Sequence, residues 1–312
     1  MYAVVNYIVR RLGWVVVTLF GIVLVNFFVM HLLPINYALV IAGDHASAFT
    51  LREISRNYAL NKPIWYQFAL YLRQLGELNL GYSYQLHLPV RSMLATALPK
   101  TFYLAVVAVL FELLIGVPLG IWTSRHAGSL MDSLVISASL VGVSLPPFAV
   151  GSLLLYIFSI RLGWLPVGGY APFPHIGYVI LPALSYAITG AAYYTRIIRS
   201  SMLEMGDADY VRTAWAKGLS SWKVVMRHIF RNALIPVVTL FGLDFGYLLG
   251  GLLVMESIFD WPGIGAMTYR AIPVMDVPTI LGVVLFAATA IVMMNLVVDV
   301  LYAVLDPRIT YA

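Results

Sequence analysis

The chain has 312 residues, 61% of them hydrophobic and only 11% charged, with a formal net charge of +5 and no cysteine. Its apolar residues come in runs too long for a water-soluble core, which excludes the soluble classes and points to one polytopic membrane protein. The missing cysteine excludes disulfides, thiolate metal sites and cysteine nucleophiles, and excess Lys and Arg in such a chain marks cytoplasmic loops and anionic lipid contact, not nucleic acid.

Crossing a hydrocarbon core of ~30 Å takes about 20 apolar residues of helix, because every buried backbone group must be satisfied within the segment. Six stretches qualify: 14–33, 102–123, 134–160, 176–195, 234–255 and 279–301. The expected fold is all-α with six transmembrane helices. The first run is longer than a signal-peptide core and no small-residue cleavage site follows it, so it reads as an uncleaved span. The organisation expected is an N-terminal span (1–33), an extracytoplasmic segment (34–101) and a five-helix core (102–312) that includes a cytoplasmic loop at 196–233. In the outer segment, Trp65, Phe68, Leu72 and Leu75 fall on one helical stripe after Pro63 and predict a short helix lying on the outer surface. Pro118, Pro146, Pro147, Pro182 and Pro236 lie within or at the ends of spans and predict bent helices.

Glu112 in the second span and Asp244 in the fifth are the ionisable residues placed near the bilayer midplane, where a charge is costly and usually functional. No Lys or Arg lies inside a span to neutralise them. Each acid is protonated and satisfied within the bundle, hydrated in a cavity, or paired with a cationic substrate. Gly242, Gly246 and Gly250 form a ridge for close helix approach, and Asp244 is rotated about 200° away from Gly242.

Between these acids lies "DYVRTAWAKGLSSWKVVMRHIFRNALIP". Glu204, Asp207 and Asp209 precede a two-turn helix that Lys217 and Gly218 close, the charge order a helix dipole favours. Ser220 or Ser221 then caps a second helix. Its face of Trp222, Val225, Met226, Ile229, Phe230 and Ala233 turns toward the bundle, and Lys223, Arg227 and Arg231 turn toward water or head groups. A solvated basic loop accounts for the charge alone. The helix, glycine, helix order, with Trp215 and Trp222 near the break, describes an element that docks in another protein's groove.

Further on, "FDWPGIG" (259–265) reads as an outer turn with Trp261 as an interfacial anchor. The histidines at 31, 45, 87, 126, 175 and 228 show no ligand spacing for a metal. Arg10, Arg11, Arg125, the basic residues of 196–232 and Arg308 share one side of the membrane, whereas the short loops opposite hold only Arg161 and Arg270. Both termini are therefore expected in the cytoplasm.

"DYVRTAWAKGL", "HIFRNALIPVV", "ESIFDWPGIG" and "NLVVDVLYAVLDPRI", with "YIVRRLGWVVVTLFGIVLVNFFVMHLLP" and "LNKPIWYQFALYL" in the N-terminal half, resemble the dipeptide, oligopeptide and nickel permease family of ABC importers. The resemblance implies the type I importer permease fold in the inner membrane, and a chain that is not itself an enzyme. It makes the cytoplasmic loop a coupling helix that docks on an ATP-binding subunit through Asp209, Tyr210, Arg212, Thr213, Ala214, Lys217 and Gly218. It places Trp261, Pro262 and Gly263 in an outer loop near a substrate-binding protein. The implied partners are a second homologous permease subunit, two ATP-binding subunits that carry ATP and Mg, and an extracytoplasmic substrate-binding protein. The chain agrees in lacking a G-x-x-x-x-G-K-[ST] phosphate loop and is expected to bind no cofactor. The function so implied is half of a translocation path for di- or oligopeptides, with Asp244 and Glu112 along it and Asp244 favouring a positive group such as a peptide amino terminus. The alternatives are a nickel or metal-chelate permease of the same family, a proton-coupled secondary transporter using the two acids as a relay, and a membrane scaffold.

Overall fold

The computed structural model describes residues 2–32, 38–39, 47–57, 59–250 and 252–305; His45 and Arg308 lie outside them. The helices are α1 (Tyr2–Leu32), α2 (Ala48–Asn57), α3 (Ile64–Gly76), α4 (Val90–Arg125), α5 (Leu130–Ser144), α6 (Pro147–Arg161), α7 (Gly177–Gly206), α8 (Asp209–Ala216), α9 (Ser221–Leu249), α10 (Leu253–Ile258), α11 (Ile264–Ala271) and α12 (Val277–Leu305). Among the described residues there is no strand, only an isolated antiparallel bridge between Tyr82 and Pro89.

By length and apolarity α1, α4, α9 and α12 can each cross a membrane, and α5 with α6, counted as one bent span, makes a fifth passage. That fifth passage corrects the uninterrupted span expected at 134–160, because its halves meet at 98°. Leu145 is extended (φ −82°, ψ 129°), as a residue before proline must be to avoid the proline ring. Pro146 and Pro147 then supply no amide hydrogens to continue the α5 ladder.

α7 has the length for a further passage. Its 30 residues are ~45 Å long, yet it is less apolar than the others because it lies inside the bundle. Ala183, Ala187 and Ala191 are buried along it, and α4 approaches it through two glycines. A Cβ on Gly116 would lie 2.7 Å from Tyr194 Cβ, and one on Gly120 would lie 2.7 Å from Ile198 Cβ. Two buried hydroxyls of α7 are satisfied by its own carbonyls: Ser185 donates to Leu181 O at 2.6 Å and Thr195 to Ala191 O at 2.7 Å. A helix so enclosed has no need of a lipid-facing surface all round.

At the end of α7 nearer α8, Arg199 grips Asp132 of α5 with two hydrogen bonds of 2.7 Å, and Gly128 N donates to the same carboxylate at 2.9 Å. Arg199→Met leaves that acid without its cation. The expected result is a lower thermal unfolding midpoint in lipid nanodiscs.

Two outer helices wrap this centre. Asn26, buried in α1, donates to Tyr71 OH of α3 and to Leu281 O of α12, each at 3.2 Å, and Arg11 pairs with Asp299 at 2.9 Å. The stripe expected on α3 is rotated. Phe68, Tyr71 and Leu75 turn inward, whereas Trp65 is 70% exposed. Phe27 decides this, its ring 5.0 Å from Phe68 and 5.7 Å from Tyr71, together with the Asn26 bond to Tyr71. The glycine ridge of α9 performs as expected: Gly242, Gly246 and Gly250 meet Val298, Met294 and Ala287 of α12.

Candidate functional site

Turning its glycines to α12 points the opposite face of α9, with Asp244, toward α4 and α7. A cavity of about 290 Å³ opens there, bounded by Glu112, Asp244, Pro147 and the α7 residues Tyr186, Thr189, Gly190, Tyr193 and Tyr194. Glu112 is only 1% exposed and interacts directly with Asp244. It fits because position 190 is glycine, where any Cβ would collide with its carboxyl group. Tyr194 OH donates to Asp244 Oδ2 at 3.4 Å.

Glu112 Oε2 and Thr189 Oγ1 are buried and have no hydrogen-bond partner among the described residues. Of the states open to Glu112, full satisfaction by the bundle is therefore not the one present. Two adjoining carboxyls, an idle acceptor and aromatic faces suit a cationic group rich in N–H donors.

The basic loop folds as helix, glycine, helix. Eight-residue α8 ends at Lys217, and Gly218 at φ +72° reverses the chain, a conformation that costs glycine nothing. Asp209, Tyr210, Arg212, Thr213, Lys217 and Gly218 are exposed. Ala214 is not on that surface. It is 4% exposed and, with Val211, joins a cluster containing Tyr194, Ile198 and Val224, since positions 211 and 214 share the inward side of a helix. In α9, Lys223, Arg227 and Arg231 point outward as expected. Trp222 is exposed instead of packed, and Val224 takes the inward place. The first turns of α9, Val224–Phe230, are π-helical, and this wider winding shifts which residues face the bundle. Ser220 stands at the N-cap position without a side-chain capping bond.

The "FDWPGIG" turn is the largest correction. Trp261 is fully buried, stacked on Tyr103 at 6.0 Å and donating Nε1–H to Lys100 O at 3.1 Å, so it is neither an interfacial anchor nor a surface for a partner. Gly263 is buried as well, and Pro262 is half-buried. The acceptor that holds this turn is Glu256 of α10. Thr101 Oγ1 donates to Glu256 Oε1 at 2.7 Å, Ala266 N to Oε2 at 3.0 Å, and Ile264 N to Thr101 Oγ1 at 2.9 Å. A Cβ at Gly263 would collide with both Glu256 and Thr101. Asp276 plays the same part nearby, accepting from Ser83, Tyr84 N and Thr279. The signal available in the sequence was an acid directly after an apolar span.

Comparison with known proteins agrees with this architecture. The permease from Escherichia coli O6:H1 called "Glutathione transport system permease protein GsiC" is 37% identical over 306 residues, covering 98% of this chain and 99% of that protein. The protein of the same name from Salmonella paratyphi A is 38% identical over 310 residues, with 98% and 99% covered. Among solved structures, an inward-facing form of the MetNI methionine ABC transporter matches with a TM-score of 0.54 at 15% identity, covering 69% of this chain and 97% of that chain. Residues 116–311 match the family described as "Binding-protein-dependent transport system inner membrane component", and residues 4–105 match its N-terminal companion. With several helices long and apolar enough to cross a membrane, a helix, glycine, helix loop and relatives matched over nearly their whole length, the chain belongs to this family and is an ABC importer permease of the inner membrane, not an enzyme, within the peptide and nickel branch.

Proposed function

We propose that this chain forms half of the path by which an ATP-driven importer carries di- and oligopeptides. A second homologous permease supplies the other half, two ATP-binding subunits hold ATP and Mg, and a substrate-binding protein delivers peptide from outside. The termini and α8 face the cytoplasm, and the 34–101 segment with α3 lies outside. Closure of the ATP-binding subunits moves α8, gripped through Asp209, Tyr210, Arg212, Thr213, Lys217 and Gly218, and turns the cavity from one side to the other. Of the outer-loop residues 261–263, Pro262 retains surface for the binding protein. Family membership replaces the expectations of a proton-coupled secondary transporter and of a scaffold.

One observation carries the substrate reading: the Glu112–Asp244 cavity, whose carboxyls and phenols suit an ammonium group. Nickel prefers imidazole or thiolate ligands, and neither lines this cavity. Relatives named for glutathione, itself a small peptide, support the same choice.

The test is Asp244→Asn in the complete importer reconstituted in proteoliposomes. Loss of one charge-assisted hydrogen bond to substrate predicts an uptake of unmodified dipeptide about tenfold lower, with nickel failing to compete. Unchanged uptake and selectivity would remove Asp244 from the path.

A further inference from the structure

Two cavities follow one another along α7, and Tyr193 forms part of both walls. The first holds the acids. The second, about 500 Å³, lies between α5 and the α8 end of α7 and is bounded by Ile136, Tyr193, Arg196, Ile197, Arg199 and Ser200. Its charge is opposite. Arg199 is committed to Asp132 through two hydrogen bonds. Arg196 is exposed and has no ion-pair partner among the described residues.

Distance relates the two. Gly190, which lies against Glu112, and Arg196 are separated along the axis of α7 by ~9 Å of rise and around it by about 120°. An extended tripeptide spans about 10 Å and a dipeptide about 7 Å. Guanidinium is the side-chain group that best matches a carboxylate, with two parallel N–H bonds. Acid and tyrosine together, with the idle Glu112 Oε2, match an ammonium.

We propose that the two cavities form one bipolar track for a zwitterionic short peptide, its ammonium held at Glu112 and Asp244 and its carboxylate at Arg196. The inference rests on the peptide-permease reading and adds to it a carboxylate site and a polarity, with the carboxyl terminus nearer α8. The axial component of the spacing is nearer to a tripeptide than to a dipeptide.

The chain has no cysteine, so Ile136→Cys gives a single reporter on the wall of the second cavity. In the assembled importer in phosphatidylcholine vesicles, a free tripeptide is expected to slow thiol labelling of that cysteine at least about threefold, whereas its C-terminal amide does not. Arg196→Gln abolishes the protection and Arg196→Lys, which keeps the charge but not the two parallel N–H bonds, retains part of it. ATP-driven uptake of the free tripeptide falls about tenfold in Arg196→Gln and much less in Arg196→Lys, as expected for one lost charged contact. Equal protection by the free and amidated peptides, or full uptake by Arg196→Gln, would overturn the track. So would protection that follows added phosphatidylglycerol and not the peptide terminus, since Arg196 would then hold a lipid head group. An importer that takes up no peptide at all refutes the parent reading instead.

Discussion

Replacing Ala214 by leucine is expected to reduce ATP-driven uptake at least about tenfold and to release the ATP-binding subunits during affinity purification. Ala214 is on the hidden side of α8, against a cluster that includes Val211, Ile198 and Val224. Extra methyl groups in such a place cost about 1–3 kcal/mol through strain or displacement. An eight-residue helix is not stable alone, so its position is set by this packing. The larger side chain lifts or tilts α8 and misplaces its whole outer surface. Tyr210→Ala distinguishes the two sides of the helix. Its ring is exposed, and its removal is expected to weaken copurification while thermal stability stays near wild type. Retained uptake and retained subunits in Ala214→Leu would show that α8 is not the docking element.

Glu256→Ala is expected to destabilise the protein by about 3 kcal/mol, because a buried N–H and a buried hydroxyl lose their acceptor together. The group is fully buried, and its two oxygens receive Thr101 and Ala266 N. These bonds tie the start of α4 to the turn before α11, where Trp261 is packed. Glu256→Gln keeps one acceptor oxygen and is expected to lose about half as much. Thr101→Val removes a single linking hydroxyl and costs about 1 kcal/mol. Thermal unfolding in lipid nanodiscs reads all three, and a midpoint unchanged in Glu256→Ala would refute the role of this carboxylate as the tie.

Much of the fold was legible because lipid imposes a coarse rule that long apolar runs obey. Most of the long apolar helices, the two-helix loop, the glycine at its break and the glycine ridge of α9 follow from local residue types and helical period alone. Legibility failed where a choice lay between equivalent rotations or neighbours. On α3 the periodicity offered two overlapping stripes, and Phe27 and Asn26 selected the one with Phe68 and Tyr71. In α9 the π-helical turns moved Trp222 outward, which a regular period does not foresee. Trp261 sits in a turn, and Glu256 in the short α10 before it, whose composition resembles any wet outer loop. Their burial comes from α4, more than 150 residues earlier in the chain.

The candidate site divides in the same way. Glu112 and Asp244 stood out in the sequence because an acid in mid-membrane is costly wherever it points, and Arg196 stood out only as one more basic residue of a cytoplasmic loop. That the acids adjoin, that Gly190 makes room for one of them, and that Arg196 opens into the next cavity along α7 are facts of packing between helices distant in sequence. Residue identity by itself determined the solvent, the long apolar helices and the helix, glycine, helix loop, because each depends on transfer energies or on backbone preferences summed along a short segment. Tertiary structure alone decided which polar groups meet and which are left without partners, because contact between helices depends on their mutual rotation and approach, which no single segment encodes.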